Sequence, residues 1–434
     1  MPAKQPHIYV TWLLFAIIIT GYLLFAVKFP LAYIVATYED LVGEWTQVFL
    51  FASTMLLCTR LACQKIAERW WFALLALACF YVVGEEISWG QRIFDIATPD
   101  FFQQHNQQNE TNLHNFFTGP IKSTSKMLLE YLLAAGITGY GLLYPLLIKL
   151  RKQPALWFNG KGLPFPPLYL WPFFVASAIF ELGLIQFNES EIAELLLPLA
   201  LSLMALNYLL TAREKKPLAE LSGWDLQRSR KLGRQTLLLF ATVILLACGT
   251  TAACYNSPRL GPEISERYLN GMEKFAGRYQ RLGNWEIASQ LYSRVLQQEP
   301  ERADILRQLF KVETERGDPA QAKKYLQQAQ QVDIEYLARN SLSVAAHLSL
   351  ADTYDLLEKT EDAEDHRLGS LQIAQLNVKR APNGTTVYWL AKALEANGQQ
   401  DEALKAYRRS LELQPGSLRA LKAIQRLGTE QKND

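Results

Sequence analysis

Residues 235–255 read QTLLLFATVILLACGTTAACY and contain no Asp, Glu, Lys or Arg. About 20 apolar residues let an α-helix cross a bilayer core about 30 Å thick, where no water can hydrogen-bond an exposed backbone. The stretch therefore predicts a membrane-spanning helix. It also divides the chain, because the residues up to 255 hold 19 Lys and Arg and 17 Asp and Glu, whereas the shorter remainder holds 25 of each.

Further apolar stretches of similar length precede this one. The sequence therefore predicts an all-α chain whose residues 1–255 form a polytopic seven-helix transmembrane domain. The predicted spans are 8–28, 43–63, 70–92, 127–150, 167–188, 190–211 and 235–255. All five cysteines lie in these apolar stretches, so we expect neither disulfides nor a thiolate metal site in the polar half.

The flanking charges predict which way the spans run, because Lys and Arg are retained on the cytoplasmic side. The N-terminus and the loops near 60–69, 149–161 and 212–234 hold 15 basic and 4 acidic residues, and the opposite loops hold 3 basic and 13 acidic ones. Seven alternating spans then place the N-terminus in the cytoplasm and the polar half outside. We expect a bacterial inner-membrane protein with a periplasmic or extracellular C-terminal domain.

The polar half contains an internal repeat. Gly283 and Ala288 recur 34 residues later as Gly317 and Ala322, and the same five-residue offset returns at Gly398 and Ala403. Pro300 and Pro415 each fall 12 residues after the corresponding alanine. Glycine permits a tight turn between helices, a small alanine permits close helix approach, and proline ends a helix. The pattern predicts stacked helical hairpins.

The segments LGNWEIASQLYSRVLQQEP (282–300) and NGQQDEALKAYRRSLELQP (397–415) resemble the loop and second helix of tetratricopeptide (TPR) repeats. The resemblance predicts a TPR-like solenoid over 268–430, joined to the membrane domain by a linker at 256–267. Such arrays present a concave surface to a protein partner. The alternative is an oligomerisation or spacer module with no separate ligand. No segment concentrates positive charge, so no nucleic-acid partner is expected.

Acidic residues gather at the predicted outer ends of several spans. Glu85 and Glu86 close the third span, with Arg92 following. Glu181 lies near the outer end of the fifth span, and Glu191 and Glu194 open the sixth on one helical face. Ionisable groups at membrane depth are costly and usually serve a purpose. We expect them to come together with the loop that follows the third span.

That loop, TPDFFQQHNQQNETNLHNFFTGP (98–120), predicts an amphipathic helix near 99–118 lying on the outer membrane interface. At 100° per residue, Phe101, His105 and Asn109 share its apolar face. His114, nine residues after His105, projects to the opposite side. His105 is therefore expected to join the glutamates, with Asn109 and Arg92 in support.

Three interpretations of these residues stay open. In the first, the carboxylates hold the helix bundle together by pairing with Arg92 or neighbouring amides. In the second, they form a hydrolase or transferase site for a lipid, peptide or glycan, in which a Glu pair activates water. In the third, they belong to a transporter. In the enzymatic case Glu85, Glu86 and His105 are the candidate catalytic residues. His105 and Glu86 would then be the ligands of a divalent metal such as zinc.

The enzymatic interpretation is linked to one resemblance. The pair Glu85-Glu86 with Arg92, and Phe101-x-x-x-His105, resemble the paired-Glu and Phe-x-x-x-His motifs of CAAX-type intramembrane proteases. The resemblance implies that a glutamate of the pair activates water and that His105 supports the oxyanion. Whether the protein is an enzyme stays open on sequence alone. The primary hypothesis is a membrane-anchored scaffold that contacts membrane lipid and binds a protein partner through its repeats.

Overall fold

The computed structural model describes residues 5–94, 96–105, 111–113, 124–211 and 226–430, with the backbone alone for residues 92, 93, 103–105, 124–126, 429 and 430. Every regular element within these ranges is helical. The α-helices up to Tyr255 are α1 (Pro6–Lys28), α2 (Pro30–Thr37), α3 (Val42–Ala62), α4 (Arg69–Glu86), α5 (Gln91–Phe94), α6 (Asp100–His105), α7 (Thr124–Thr138), α8 (Tyr144–Lys149), α9 (Gln153–Gly160), α10 (Trp171–Glu181), α11 (Ser190–Thr211) and α12 (Leu226–Tyr255).

The remaining described helices form a regular series. They are α13 (Gly261–Arg281), α14 (Trp285–Gln298), α15 (Ala303–Arg316), α16 (Pro319–Arg339), α17 (Val344–Leu356), α18 (Thr360–Arg380), α19 (Gly384–Ala396), α20 (Gln400–Leu413) and α21 (Leu418–Glu430). The chain divides into two compact units, one of Met1–Ile96 with Lys122–Gly271 and one of Ala97–Ile121 with Met272–Asp434. The latter half of the predicted linker at 256–267 is helical and belongs to α13.

Five segments of the described chain are long and apolar enough to cross a membrane, not the seven that were predicted. They are Pro6–Lys28, Pro30–Ala62, Met127–Lys149, Ser190–Thr211 and Leu226–Tyr255. The segment Met127–Lys149 contains a π-helical turn at Gly139–Leu143. At this turn the Phe174 ring packs directly against Gly141. A Cβ added to Gly141 would lie 2.0 Å from the Phe174 Cγ, so only glycine leaves enough space.

The other two predicted spans are shorter than expected. The third span was predicted to reach residue 92, but α4 ends at Glu86 because Ser88, Trp89 and Gly90 all have left-handed backbone angles. The fifth was predicted over 167–188, but α10 has 11 residues. At 1.5 Å per residue it is about 16 Å long, roughly half of a bilayer core. Apolar composition predicted both segments, but local turns ended them.

Helix α11 is the centre of the first unit. Most of its side chains are buried, and Leu196, Leu199 and Met204 have no exposed surface. Helices α3, α10 and α12 pack around it. Midway along the helix, the Thr54 hydroxyl lies 2.7 Å from the Ser202 hydroxyl and donates to the Pro198 carbonyl at 3.1 Å. These bonds satisfy polar groups inside an otherwise apolar bundle.

The second unit consists of helical hairpins whose turns follow from their residues. Gly283, Gly317 and Gly398 each have φ between 72° and 81°, a left-handed conformation that glycine adopts without strain. The alanines that follow them, Ala288, Ala322 and Ala403, are at most 1% exposed where the helices meet. Helices α14 and α20 end two residues before Pro300 and Pro415.

The first helices of successive hairpins also touch each other. Helix α15 contacts α17, and α17 contacts α19, in addition to the contacts within each hairpin. Side-chain oxygens of Asn284, Asp318, Ser343 and Asn383 accept hydrogen bonds from backbone N–H groups in the first turns of α14, α16, α17 and α19. Such caps fix where each helix begins. The first helices therefore form one continuous layer.

Candidate functional site

Carboxylates from separate helices converge in the first unit. Glu86, at the end of α4, lies within electrostatic range of Glu85 and Glu191. Glu194, one turn further into α11, lies within range of Glu191, Glu86 and Glu181. The structure thus brings together acidic residues that the sequence placed at the ends of three different helices. We call Glu44, Glu86, Glu181, Glu191 and Glu194 the carboxylate cluster.

Glu44, at the start of α3, was not among the predicted site residues. It lies within electrostatic range of Glu86, Glu191 and Glu194, and its carboxylate accepts a hydrogen bond from the Asp40 backbone N–H at 2.5 Å. Its position in the sequence could have identified it as a site residue, because Glu44 lies on the same predicted side of the membrane as Glu86 and Glu191. Gln47, one turn after Glu44, donates to the Glu191 carboxylate at 3.0 Å.

A small cavity of about 40 Å³ opens beside the cluster. A water molecule needs roughly 10–15 Å³ of such space, so the cavity has room for at least one. Its walls are formed by Asp40, Glu44, Trp45, Val48, Glu86, Ile87 and Ser88. Two glutamates and an aspartate therefore face a site that water can occupy.

The two glutamates of the predicted pair have different surroundings. Glu85 is 4% exposed and accepts a hydrogen bond from the Trp89 indole N–H at 2.9 Å. The indole ring lies so close to Gly84 that a Cβ there would be 2.8 Å from it. Glu85 thus supports the left-handed turn at Ser88–Gly90, while Glu86 lines the cavity. Strained backbone of this kind is concentrated at functional sites.

Glu189, which was also not among the predicted site residues, has a structural role. The Glu189 carboxylate accepts hydrogen bonds from the backbone N–H groups of Ile185, Gln186 and Phe187, at 2.5 to 2.9 Å. Gln186 and Asn188 both have left-handed φ angles. The Glu189 side chain therefore holds the turn that connects α10 with α11, and this turn sets the position of Glu191.

Three predicted site residues cannot be placed in the cluster. The side chains of Arg92 and His105 and the whole of Asn109 lie outside the described residues, as does half of the predicted interfacial helix at 99–118, of which α6 is described. Within the described residues, no group of three His, Cys, Asp or Glu side chains could hold a metal ion. The described donors near Glu86 are carboxylate oxygens, which suit hard cations better than zinc.

In the second unit, a buried ion pair connects three helices. Arg307 on α15 donates to the Asp333 carboxylate on α16 at 3.0 Å. The hydroxyls of Ser349 and Thr353, on α17, donate to the same carboxylate at 2.6 and 2.5 Å. Asp333 is 2% exposed, so its charge depends on these donors. This group sets how successive hairpins stack.

The layer of first helices carries charged and aromatic groups. Asp352 on α17 lies within electrostatic range of Arg307 on α15 and Lys392 on α19. Desolvation raises the pKa of Asp352, and the two cations oppose this effect. Tyr388, one turn before Lys392, packs against the Tyr407 ring with 5.7 Å between centroids. Salt bridges, hydrogen bonds and aromatic contacts are thus all available on one surface.

The last hairpin contains a second polar group. The Tyr407 hydroxyl donates to the Glu395 carboxylate at 2.6 Å, and Arg426 donates to its other oxygen at 2.5 Å. Desolvation alone would raise the pKa of Glu395, but these two donors outweigh it and lower the pKa. The carboxylate therefore joins α21 to the final hairpin, α19 and α20.

Comparison with known proteins covers mainly this last region. The tetratricopeptide repeat family model matches residues 385–427, which include α20. No curated protein sequence matches the chain. Among solved structures, the crystal structure of yeast Tom70 aligns with 99% of this chain and 90% of its own at 12% identity, but the TM-score of 0.20 carries no structural argument.

The family match and the hairpin geometry agree. Residues 385–427 match a tetratricopeptide repeat, and the turns at Gly283 and Gly317 repeat its glycine and buried alanine. The C-terminal helical array is a tetratricopeptide-like domain of the kind that mediates protein–protein interaction.

Proposed function

We propose that this protein is a membrane-anchored scaffold whose tetratricopeptide-like domain binds a protein partner. The continuous layer formed by α15, α17 and α19 carries this proposal. It presents Asp352, Lys392 and Tyr388 together, and a repeat array offers such a surface to extended ligands. The partner is expected to contact this layer.

Site-specific photo-crosslinking tests the location of the partner surface. A photoreactive phenylalanine analogue at Tyr388 should form a crosslink to another protein in cells. Arg409 is the matched control, because it lies on a second helix, α20, and its side chain is 64% exposed. Equal crosslinking from both positions, or crosslinking from Arg409 alone, would contradict the assignment of the partner to the first-helix layer.

Membrane anchoring is supported by the side chains that the first unit exposes. Leu13 and Leu23 on α1, Leu77 on α4 and Leu245 on α12 are each more than 60% exposed. A large apolar surface is rare on soluble monomers, and so many exposed apolar side chains suit contact with lipid.

Several exposed tryptophans lie next to the basic loops of the first unit. Trp12, Trp70 and Trp157 are 47%, 69% and 60% exposed, and the Trp71 indole N–H donates to the Lys161 carbonyl at 3.1 Å. Tryptophan is enriched where membrane meets water. These residues flank the basic loops, so these loops are proposed to face the cytoplasm.

The orientation is tested by reporter fusions. Fusions after residues 155 and 220 should report a cytoplasmic location, and a fusion after residue 434 an external one. The basic-loop count supports this arrangement. A cytoplasmic C-terminus would place the repeats on the opposite side of the membrane from the proposed one, and the partner would then be a cytoplasmic protein.

A membrane-embedded hydrolase or transferase is a second candidate, favoured by the cavity beside Glu86. A carboxylate that lines a cavity with room for water has the position of a general base. The resemblance to CAAX-type proteases would give Glu85 or Glu86 this role, and Glu86 is the one of the two that lines the cavity.

Glu86→Gln tests the hydrolase candidate, because it removes the charge and keeps the size. The enzyme candidate expects loss of complementation in a deletion strain with normal protein accumulation. Glu39→Gln, which removes an exposed salt bridge to Arg267, is the matched control and should complement fully. Full complementation by Glu86→Gln would reject the enzyme candidate and leave the scaffold intact.

A further inference from the structure

Two histidines face each other in the repeat unit. His347 on α17 and His366 on α18 are 19 positions apart, and their Nδ1 atoms lie 3.0 Å from each other. Both side chains are half-buried, so solvent reaches them. Neither takes part in the carboxylate cluster or in the buried Arg307–Asp333 group. The pair therefore needs its own explanation.

The neighbouring groups determine how the His347 ring is protonated. Its Nε2 lies 3.2 Å from the Ser341 carbonyl oxygen, which can only accept a hydrogen bond. Nε2 therefore carries the proton, and the neutral ring presents the Nδ1 lone pair toward His366. An imidazole that donates one N–H to a backbone carbonyl while directing its other nitrogen outward has the arrangement common among metal-ligating histidines.

The separation of the two nitrogens fits a shared metal ion. Metal–nitrogen bonds of about 2.0–2.1 Å, opening at roughly 90° to 110°, hold two ligand nitrogens about 2.9–3.4 Å apart. The observed 3.0 Å lies in that range. A shift of the His366 proton from Nδ1 to Nε2 frees the second lone pair. Because metal–nitrogen bonds are about 2.0 Å long, the ion then lies beside the line that joins the two nitrogens, and both rings turn to direct their lone pairs at it.

We propose that His347 and His366 form a surface chelate site for a divalent transition metal of the zinc, copper or nickel class. Neutral imidazole is a preferred ligand of these ions. Within the described residues no third protein ligand completes the site, so water fills the remaining positions.

The surroundings leave room for the ion and hold the rings in place. Position 369 is glycine, and a Cβ there would lie 3.5 Å from the His347 Nδ1, so residue 369 adds no side chain at this edge. Tyr354 stacks on His366 at 25° with 5.6 Å between centroids. Burial and His347 lower the pKa of His366, against the opposing charges of Asp362 and Asp365.

The test uses the untagged full-length protein in detergent, titrated with Zn²⁺ or Ni²⁺ by calorimetry at pH 7.5. One ion should bind per chain at this site, and His347→Asn and His366→Asn should each weaken that binding by more than about tenfold. Electron paramagnetic resonance of the Cu²⁺ complex should show two nitrogen ligands. Binding should weaken as the pH is lowered, because protons compete with the metal ion for the ring nitrogens.

Glu412→Gln is the control, because this carboxylate on α20 is 63% exposed and is not part of the histidine pair, so its removal should leave metal affinity unchanged. Circular dichroism of each His→Asn variant establishes that the helices remain folded. Ion binding that persists unchanged in the double His→Asn variant would assign it elsewhere, for example to the carboxylate cluster, and would overturn the proposal. The absence of any bound Zn²⁺, Ni²⁺ or Cu²⁺ would leave a hydrogen-bonded histidine pair and overturn it equally.

Discussion

Removal of the Asp333 carboxylate should destabilise the stacking of the hairpins more than any exposed charge substitution. In Asp333→Ala, the guanidinium of Arg307, 11% exposed, loses its counter-ion, and the Ser349 and Thr353 hydroxyls lose an acceptor. Breaking one side of a buried ion pair costs about 3–5 kcal/mol. Arg307 keeps hydrogen bonds to Ser349 and Thr353, so we expect the lower end, about 3 kcal/mol.

Hydrogen–deuterium exchange of the full-length protein measures this locally, which suits a chain with two units that need not unfold together. A loss of about 3 kcal/mol corresponds to roughly 100-fold faster exchange, since 1.4 kcal/mol is a factor of ten. The change should appear in the amides of α15, α16 and α17. Glu301→Ala is the matched control. The side chains of Glu301 and Arg339, which form a salt bridge, are 71% and 56% exposed, so this bridge should contribute less than about 1 kcal/mol.

The reasoning also predicts a rescue. The double substitution Arg307→Met with Asp333→Leu removes both charges and should recover most of the protection, because apolar replacements of a buried ion pair are often neutral. Equal effects of Asp333→Ala and Glu301→Ala would refute the claim that burial gives this pair its importance. Failure of the double variant to recover would show that the hydrogen bonds, not the charge, dominate.

Three further predictions concern the last hairpins. Ala403→Trp should destabilise the unit by at least about 1–3 kcal/mol in exchange measurements, because the site has no free space; the neighbouring exposed Lys405→Trp should have little effect. Tyr407→Phe should cost about 1.5–3 kcal/mol, the range for a hydrogen bond to a charged group, and should raise the Glu395 pKa measured by NMR. Since the folded-state pKa of His366 lies below 6.5, the stability that depends on its neutral form is present above pH 6.5 and is lost as the pH falls below that value. His366→Asn should remove this part of the pH dependence of stability.

The sequence alone determined that the chain is helical and that it has an apolar half followed by a polar half. Twenty-residue apolar stretches predict spans because backbone polar groups in lipid must be satisfied within the segment. The repeated glycine and alanine predict hairpins because they meet local needs, a left-handed turn and a close contact, that neighbours in sequence impose. Gly398 and Ala403 occupy these two places in the structure. The glycine turn and the alanine contact depend on residues within one or two helical turns of each other in the sequence.

Only the tertiary structure decided where helices stop and which side chains meet. The early end of α4 after Glu86 depends on the turn that Trp89 and Glu85 hold together, and hydropathy contains no sign of it. Glu44 reaches the carboxylate cluster because of how α3 packs against α4 and α11. His347 meets His366 through the hairpin of α17 and α18. Contacts between helices depend on rotation and tilt, which periodicity along one helix leaves undetermined.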